Sequence, residues 1–83
     1  LEQNYPNPFN PSTLIRYRLA DAGKVNLTVY NSLGQKVKTL VNKIQNAGLH
    51  EVKFDGGSLP SGIYFCSLKQ GQHEAKIKMI LLK

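Results

Sequence analysis

The fold is decided by Thr13-Leu14-Ile15-Arg16-Tyr17-Arg18-Leu19, in which positions suited to a core alternate with Leu14 and two arginines. Successive side chains of a β-strand point to opposite faces, so a period of two predicts a strand with one buried and one solvated face. Comparable runs follow at roughly ten-residue spacing, separated by turn formers such as those at 31–34 and 55–58. Several short strands between turns predict an all-β sandwich or barrel. The further strands are predicted at 25–30, 35–41, 49–55, 63–69 and 73–82.

The stretch 36–45 leaves two alternatives open. Its apolar residues have the i, i+3, i+4, i+7 spacing of a helix face, at Val37, Leu40, Val41 and Ile44. The segment begins directly after a glycine turn, lacks a Ser, Thr, Asp or Asn N-cap, and lies between predicted hairpins. A strand is therefore the favoured interpretation, with residues 42–48 as the turn that follows it.

The composition limits the chain to one small domain. Of its 83 residues, 41% are hydrophobic and 19% are charged, a balance that supports one core and argues against disorder. Cys66 is the only cysteine, which excludes an intramolecular disulfide and a four-cysteine zinc site. The longest apolar run, 79–82, is far too short for a transmembrane segment.

The basic residues produce a net charge of +6, and many of them come in pairs spaced by two. This spacing places both charges of a pair on one face of a strand, opposite the apolar set. Solvated strand faces and protected sheet edges explain such pairs, and the chain lacks the interleaved aromatic and basic platform of single-strand binders. We therefore predict no nucleic-acid partner. The pairs are Arg16/Arg18, Lys36/Lys38 and Lys76/Lys78.

Residues able to carry catalysis are few and scattered. Nucleophilic catalysis needs a base beside the nucleophile, whereas the alternation predicts that Cys66 points inward, where a thiol behaves as a small hydrophobe. His50 and His73 are predicted to be exposed and lack metal-ligand spacing, and the five acidic residues are spread along the chain. We predict no catalytic residue, no metal and no cofactor, and therefore no enzyme.

The cluster Leu59-Pro60-Ser61-Gly62-Ile63-Tyr64-Phe65-Cys66 carries the most informative local pattern. A tyrosine two residues before a cysteine, just after a glycine-bearing corner, is typical of the tyrosine corner of immunoglobulin-like (Ig-like) sandwiches. There the phenol reaches back to upstream backbone and holds a crossing between sheets. We predict a small Ig-like β-sandwich of six to seven mainly antiparallel strands. An ordinary strand that contains a tyrosine is the alternative.

The first eleven residues predict an ordered lead-in. Pro6, Pro8 and Pro11 each fix a backbone torsion and bias the preceding residue toward extended geometry. Tyr5 and Phe9 are the only large aromatic groups in this segment, so we expect both to pin it to the domain beneath.

Within this region, Asn4-Tyr5-Pro6-Asn7-Pro8-Phe9-Asn10-Pro11-Ser12-Thr13 closely resembles the opening motif of the C-terminal sorting domains of the type IX (Por) secretion system. The middle of the chain also resembles the Ig-like domain of the flagellar hook-capping protein. Segments that follow the sorting-domain pattern are 23–25, 29–35, 48–50, 55–56 and 62–64.

The resemblance implies one sorting domain over 1–83, with 1–11 leading in from an upstream cargo domain. It also implies a module that is recognised after export to the periplasm and guides its cargo through the outer-membrane translocon to the cell surface or beyond. Such a domain is often removed by a sortase-like peptidase that anchors the cargo to the surface. The implied partners are therefore the translocon, the peptidase and the cargo domain.

A translocon must distinguish one folded passenger from all others, so we expect the signal to be a folded surface. The candidates for that surface are Gly62, Tyr64, Lys76, Lys78 and Lys83. Lysines that only keep an edge strand soluble are the alternative. For the whole domain, the alternatives are a carbohydrate- or protein-binding accessory of an extracellular hydrolase, and a structural spacer.

Overall fold

Six β-strands and no helix form the molecule, in a computed structural model that describes residues 1–83. The predicted all-β architecture is confirmed, and every strand pair is antiparallel. The chain contains no helix with the length and hydropathy that a membrane span requires. The strands are β1 (Ser12–Leu19), β2 (Gly23–Asn31), β3 (Lys36–Gln45), β4 (Gly48–Asp55), β5 (Gly62–Gln70) and β6 (His73–Leu81).

The strands divide into a two-stranded sheet, β1-β4, and a four-stranded sheet, β3-β2-β5-β6. One cluster of 14 buried side chains draws on both sheets, so the sheets pack face to face around a single core. The alternation in β1 determines which face is buried, because Ile15, Tyr17 and Leu19 are in the core and the two arginines between them are exposed. The other core residues are Phe9, Val25, Leu27, Val29, Val41, Phe54, Tyr64, Cys66, Leu68, Met79 and Leu81.

The β5–β6 hairpin shows how turn chemistry fixes a register. Gln70 pairs with His73, which leaves Gly71 and Gln72 as a two-residue loop. Gly71 has a φ of 59°, while no residue other than glycine has a positive φ. A positive φ at the first loop position alone is the pattern of a type II′ turn, which favours glycine there. The loop implied between the predicted strands 63–69 and 73–82 is confirmed as Gly71 and Gln72, whereas Gln70 belongs to β5.

Segment 36–45 is a strand throughout, so the helical alternative is wrong. β3 pairs with β2 along its length, but Leu40 and Val37 each have no partner, because the register shifts at two places. These extra residues are β-bulges, which interrupt a period of two and so produced the helix-like spacing. The predicted turn at 42–48 is also wrong in extent, because residues 42–45 continue the ladder with β2.

The lead-in joins the two sheets along one side of the sandwich. Tyr5 exchanges two backbone hydrogen bonds with Leu14 of β1, at 3.0 and 2.9 Å. Phe9 then bonds to β6, donating to the carbonyl of Ile80 at 2.9 Å and accepting from the amide of Leu82 at 3.0 Å. We call residues 2–9 the strap, because they cover the outer edges of β1 and β6 together.

Only one of the two aromatic residues expected to pin the lead-in does so. Phe9 is 1% exposed and contacts Phe54 edge-on at 5.9 Å, whereas Tyr5 is 80% exposed. The prediction for Tyr5 is wrong because the strap pairs with β1 as a strand does, and alternation then turns Asn4 inward and Tyr5 outward. Asn4 is 2% exposed.

Candidate functional site

The three residues considered for nucleophilic chemistry lie in separate places. Cys66 is fully buried in the core, where burial raises the pKa of its thiol to about 12. His73 is exposed at the β5–β6 turn. No group of three or more His, Cys, Asp or Glu side chains is arranged to hold a metal ion.

His50 differs from its prediction, because it is half-buried rather than exposed. Its ring stacks on Tyr17 with centroids 5.5 Å apart, and its Nε2 forms a 2.8 Å hydrogen bond with the carbonyl of Asn46. The Tyr17 hydroxyl donates to the Oε1 of Gln45 at 2.6 Å. These contacts tie the β3–β4 connection to β1, so His50 has a structural role.

The predicted tyrosine corner is present at the crossing from β4 to β5. The hydroxyl of Tyr64 donates a 2.7 Å hydrogen bond to the carbonyl of Pro60. Tyr64 is 4% exposed, so it shapes the surface from beneath. Gly62 begins β5, two residues before it.

Lys83 docks on the same crossing. Its amide donates to the Oγ of Ser61 at 3.0 Å, and its Nζ donates to the carbonyl of Gly57 at 2.7 Å. The structure therefore brings Gly62, Tyr64 and Lys83 together at one end of the sandwich.

Lys76 and Lys78 lie apart from that end, on the outer face of β6. They are exposed and two residues apart, which places both side chains on the same face. Neither takes part in the two ion pairs of the chain, Arg16–Glu51 and Lys69–Glu74. Within β5 their partners in the register are Ser67 and Phe65.

The backbone edge of β6 beside these lysines is already occupied by the strap. The Nε2 of Gln3 donates to the carbonyl of Lys78 at 2.8 Å, and the amide of Ile80 donates to the Oδ1 of Asn7 at 2.9 Å. Together with Phe9, these contacts satisfy this edge from Lys78 to Leu82.

Sequence reasoning missed the polar network that holds the strap in place. The Nδ2 of buried Asn4 donates to the Oγ1 of Thr13 at 3.0 Å and to the carbonyl of Pro6 at 3.2 Å. The Thr13 hydroxyl also donates to that carbonyl, at 2.8 Å. A side-chain amide in a segment whose prolines lack backbone donors is the signal that could have indicated this network.

Gly56 was not predicted to matter either, although it lies in the Asp55–Gly56 step. It is buried, and its amide donates to the carbonyl of Pro11 at 2.8 Å. A Cβ at this position would meet Leu81 at 3.0 Å and Phe9 at 3.4 Å. The missing side chain therefore allows the strap and β6 to close over the start of the crossing.

A family model described as the secretion system C-terminal sorting domain matches residues 3–82. The chain belongs to this family. The match extends from the strap to β6 and so covers all six strands. The resemblance of the middle of the chain to the hook-capping domain stays a prediction.

Membership assigns the sorting domain to type IX secretion, as part of a larger cargo protein that interacts with the secretion machinery. Proteins that carry it are exported to the cell surface or the extracellular space. No curated protein and no solved structure gave a significant match to the chain.

Proposed function

We propose that this sorting domain is a non-catalytic export and surface-anchoring module, and that the secretion machinery recognises it as a folded surface. The basic face of β6, formed by Lys76 and Lys78, is the centre of that surface. The corner that carries Gly62, Tyr64 and Lys83, at one end of the sandwich, is a second part of that surface. The upstream cargo domain is carried passively, and a sortase-like peptidase anchors it after export.

The observation that carries this proposal is the pairing of β6 with the strap. Lysines on edge strands commonly prevent edge-to-edge association, yet the β6 edge from Lys78 to Leu82 is already paired. Protection of an exposed edge therefore does not account for Lys78. Two unpaired ammonium groups on one face of a rigid strand instead favour an electrostatic contact with an acidic partner surface.

The test is a reporter protein fused upstream of this domain in a bacterium that has the type IX machinery. Lys76→Glu with Lys78→Glu should leave the thermal midpoint of the purified domain nearly unchanged and retain the reporter in the periplasm. Lys43→Glu with Lys53→Glu is the matched control, because it makes the same charge change at exposed positions of β3 and β4. Normal surface delivery of the β6 variant would remove the basic face from the proposal.

A second variant tests recognition of a folded surface against a linear code. Phe9→Ala leaves residues 76–83 unchanged but empties a core position, at an expected cost of about 3–5 kcal/mol. We expect this variant to be unfolded and its reporter to be retained. If the unfolded variant reaches the cell surface, a linear signal is read instead.

A further inference from the structure

The outer face of the four-stranded sheet carries a groove of about 350 Å³ whose lining shares only Lys76 with the proposed sorting face. This volume lies at the low end of the roughly 300–1,000 Å³ of small-molecule sites. The groove crosses β2, β5 and β6, and the strand register arranges its side chains in rows. On this face the rows are Tyr30–Phe65–Lys78, Thr28–Ser67–Lys76 and Asn26–Lys69–Glu74. The groove itself is lined by Tyr30, Phe65, Ser67, Lys69, Glu74 and Lys76, together with Asn31, Ser32 and Gly34 at the β2–β3 turn.

Ser67, on the floor of this groove, is the one buried side chain whose polar atom has no partner. It is 2% exposed, and its Oγ makes no hydrogen bond. Its neighbour Thr28 is already committed, because the Thr28 hydroxyl donates to the Oδ1 of Asn26 at 2.6 Å. Buried polar groups in folded proteins almost always have a partner, so the free donor and acceptor of Ser67 indicate that a ligand supplies one.

Two aromatic rings form one end of the groove. Tyr30 and Phe65 are cross-strand partners on the outer face of the sheet. Both side chains are half-buried, so part of each ring is open to a ligand. Adjacent rings beside a few placed polar groups are typical of a small-molecule site. Such rings bind the flat, C–H-rich face of a pyranose, while the sugar hydroxyls bond to polar groups around it.

The charges around the groove define the ligand further. The Nζ of Lys69 forms an ion pair with the Oε2 of Glu74 at 3.4 Å, whereas Lys76 and Lys78 form no ion pair. The free ammonium group of Lys76 in the lining calls for an anion, and the carboxylate of Glu74, which Lys69 contacts through one oxygen, can also accept hydrogen bonds from hydroxyl donors. A ligand that carries an anionic group and several hydroxyls on one ring is an acidic sugar.

We propose that this groove binds a uronic-acid saccharide, with one ring against Tyr30 and Phe65. The Ser67 hydroxyl bonds to a ring hydroxyl, and Lys76 binds the carboxylate. Lys76 moves its flexible stem aside to admit the sugar to Ser67. The site goes beyond the sorting function, and only Lys76 is shared with the proposed sorting face.

A single-stranded nucleic acid would contact the rings and the lysines, but it would leave Glu74 without a role. Glu74 repels a phosphate, and a phosphate cannot donate to it. Nucleic-acid binding also depends on several phosphate contacts along a basic track, whereas the row nearest the β5–β6 turn contains the neutralised Lys69–Glu74 pair. The observations therefore favour a saccharide.

The test is calorimetric titration of the purified 83-residue domain with tetragalacturonate, its methyl ester and an oligothymidylate. We expect saturable binding of tetragalacturonate and at least tenfold weaker binding of the neutral ester, because the ester cannot pair with Lys76. Ser67→Ala should weaken binding by about three- to tenfold, and Lys76→Gln by about tenfold or more. Tyr30→Thr should weaken it severalfold.

The control is Lys53→Gln on β4 of the other sheet, which removes the same charge outside the groove. Ser67→Ala should keep or raise the thermal midpoint, because it removes an unpaired hydroxyl, so loss of binding in this variant cannot be attributed to unfolding. No binding of tetragalacturonate, equal loss in the Lys53 variant, or tighter binding of oligothymidylate would each overturn the proposal.

Ser67→Ala should also leave export of the reporter unchanged, so failure of this site and failure of the sorting face are distinguishable.

Discussion

The hydroxyl of Tyr64 donates a 2.7 Å hydrogen bond to the carbonyl oxygen of Pro60, across the turn that carries the chain from one sheet to the other. The ring lies in the core at 4% exposure. One side chain therefore fixes the path of the crossing from the inside. No disulfide is available to do so, because the single cysteine is free.

Tyr64→Phe should lower the free energy of unfolding by about 1–2 kcal/mol, because it removes this bond and leaves the Pro60 carbonyl without its partner. Urea denaturation measures the change. Tyr30→Phe is the matched control, because the Tyr30 hydroxyl makes no hydrogen bond within the chain, and it should be nearly neutral. Equal effects of the two substitutions would show that the corner does not hold the crossing.

Asn4→Ala should release the strap. The substitution leaves the Thr13 hydroxyl and the Pro6 carbonyl with fewer partners in a buried site, at a cost of about 1–3 kcal/mol. Hydrogen exchange should be faster at the amides of Tyr5 and Phe9 than in the parent protein. Asn10→Ala changes an exposed asparagine directly after the strap and should leave these amides protected. Unchanged exchange in the Asn4 variant would contradict the role given to its side chain.

Gly56→Ala should destabilise the domain by about 1–3 kcal/mol, because the new methyl group meets Leu81 and Phe9 at the point where the strap closes. Gly23→Ala is the comparison. There the nearest atom, also at 3.0 Å, is the Nε2 of Gln70, the end of a flexible side chain that can move aside. Thermal denaturation of both variants separates the two cases. A Gly56 variant as stable as the Gly23 variant would show that this approach is not tight.

Stability should fall as the pH rises above about 9. Burial raises the pKa of the Cys66 thiol from 9.0 to about 12, and burial also raises the pKa of Tyr17. In both cases the folded protein holds the proton more strongly than the unfolded chain. The stabilisation is therefore complete below the unfolded pKa and is lost as the pH approaches the folded pKa. For Cys66 the change is at most about 4 kcal/mol.

Denaturation at several pH values between about 8 and 11 tests this sign. Cys66→Ala should reduce the alkaline loss and leave the part that Tyr17 contributes. The thiol of the parent protein should also stay unreactive toward a disulfide reagent until the domain unfolds, because only the thiolate attacks. Rapid reaction of the folded protein near neutral pH would contradict the assignment of Cys66 to the core.

Local features of the fold could be predicted from the sequence, whereas non-local features could not. The β1 alternation, the Gly71 turn and the Tyr64 corner were predictable because each depends on residues within a few positions of one another. The bulges at Val37 and Leu40 were not, because they are defined against β2 and change the period that sequence reasoning relies on.

The strap contacts and the groove could not be predicted from local sequence patterns, because they too depend on residues far apart in the chain. The outward position of Tyr5 follows from pairing with Leu14, and Gly56 is constrained by Leu81, far along the chain. In the sequence, Ser67 and Tyr30 are indistinguishable from ordinary strand residues. Only the register of β2, β5 and β6 shows that they share one face. The strands could be predicted, whereas the surfaces they form together could not.

The parallel bridge between Phe9 and Leu81 joins residues separated by almost the whole chain. Phe9 leaves the ribosome early in synthesis of this region, but its backbone partners on β6 emerge last. Contacts of such long range form late, because the closure of a long loop must come first. A polypeptide truncated before β6 therefore leaves the aromatic ring of Phe9 uncovered. The folded sandwich thus requires that synthesis has passed β6.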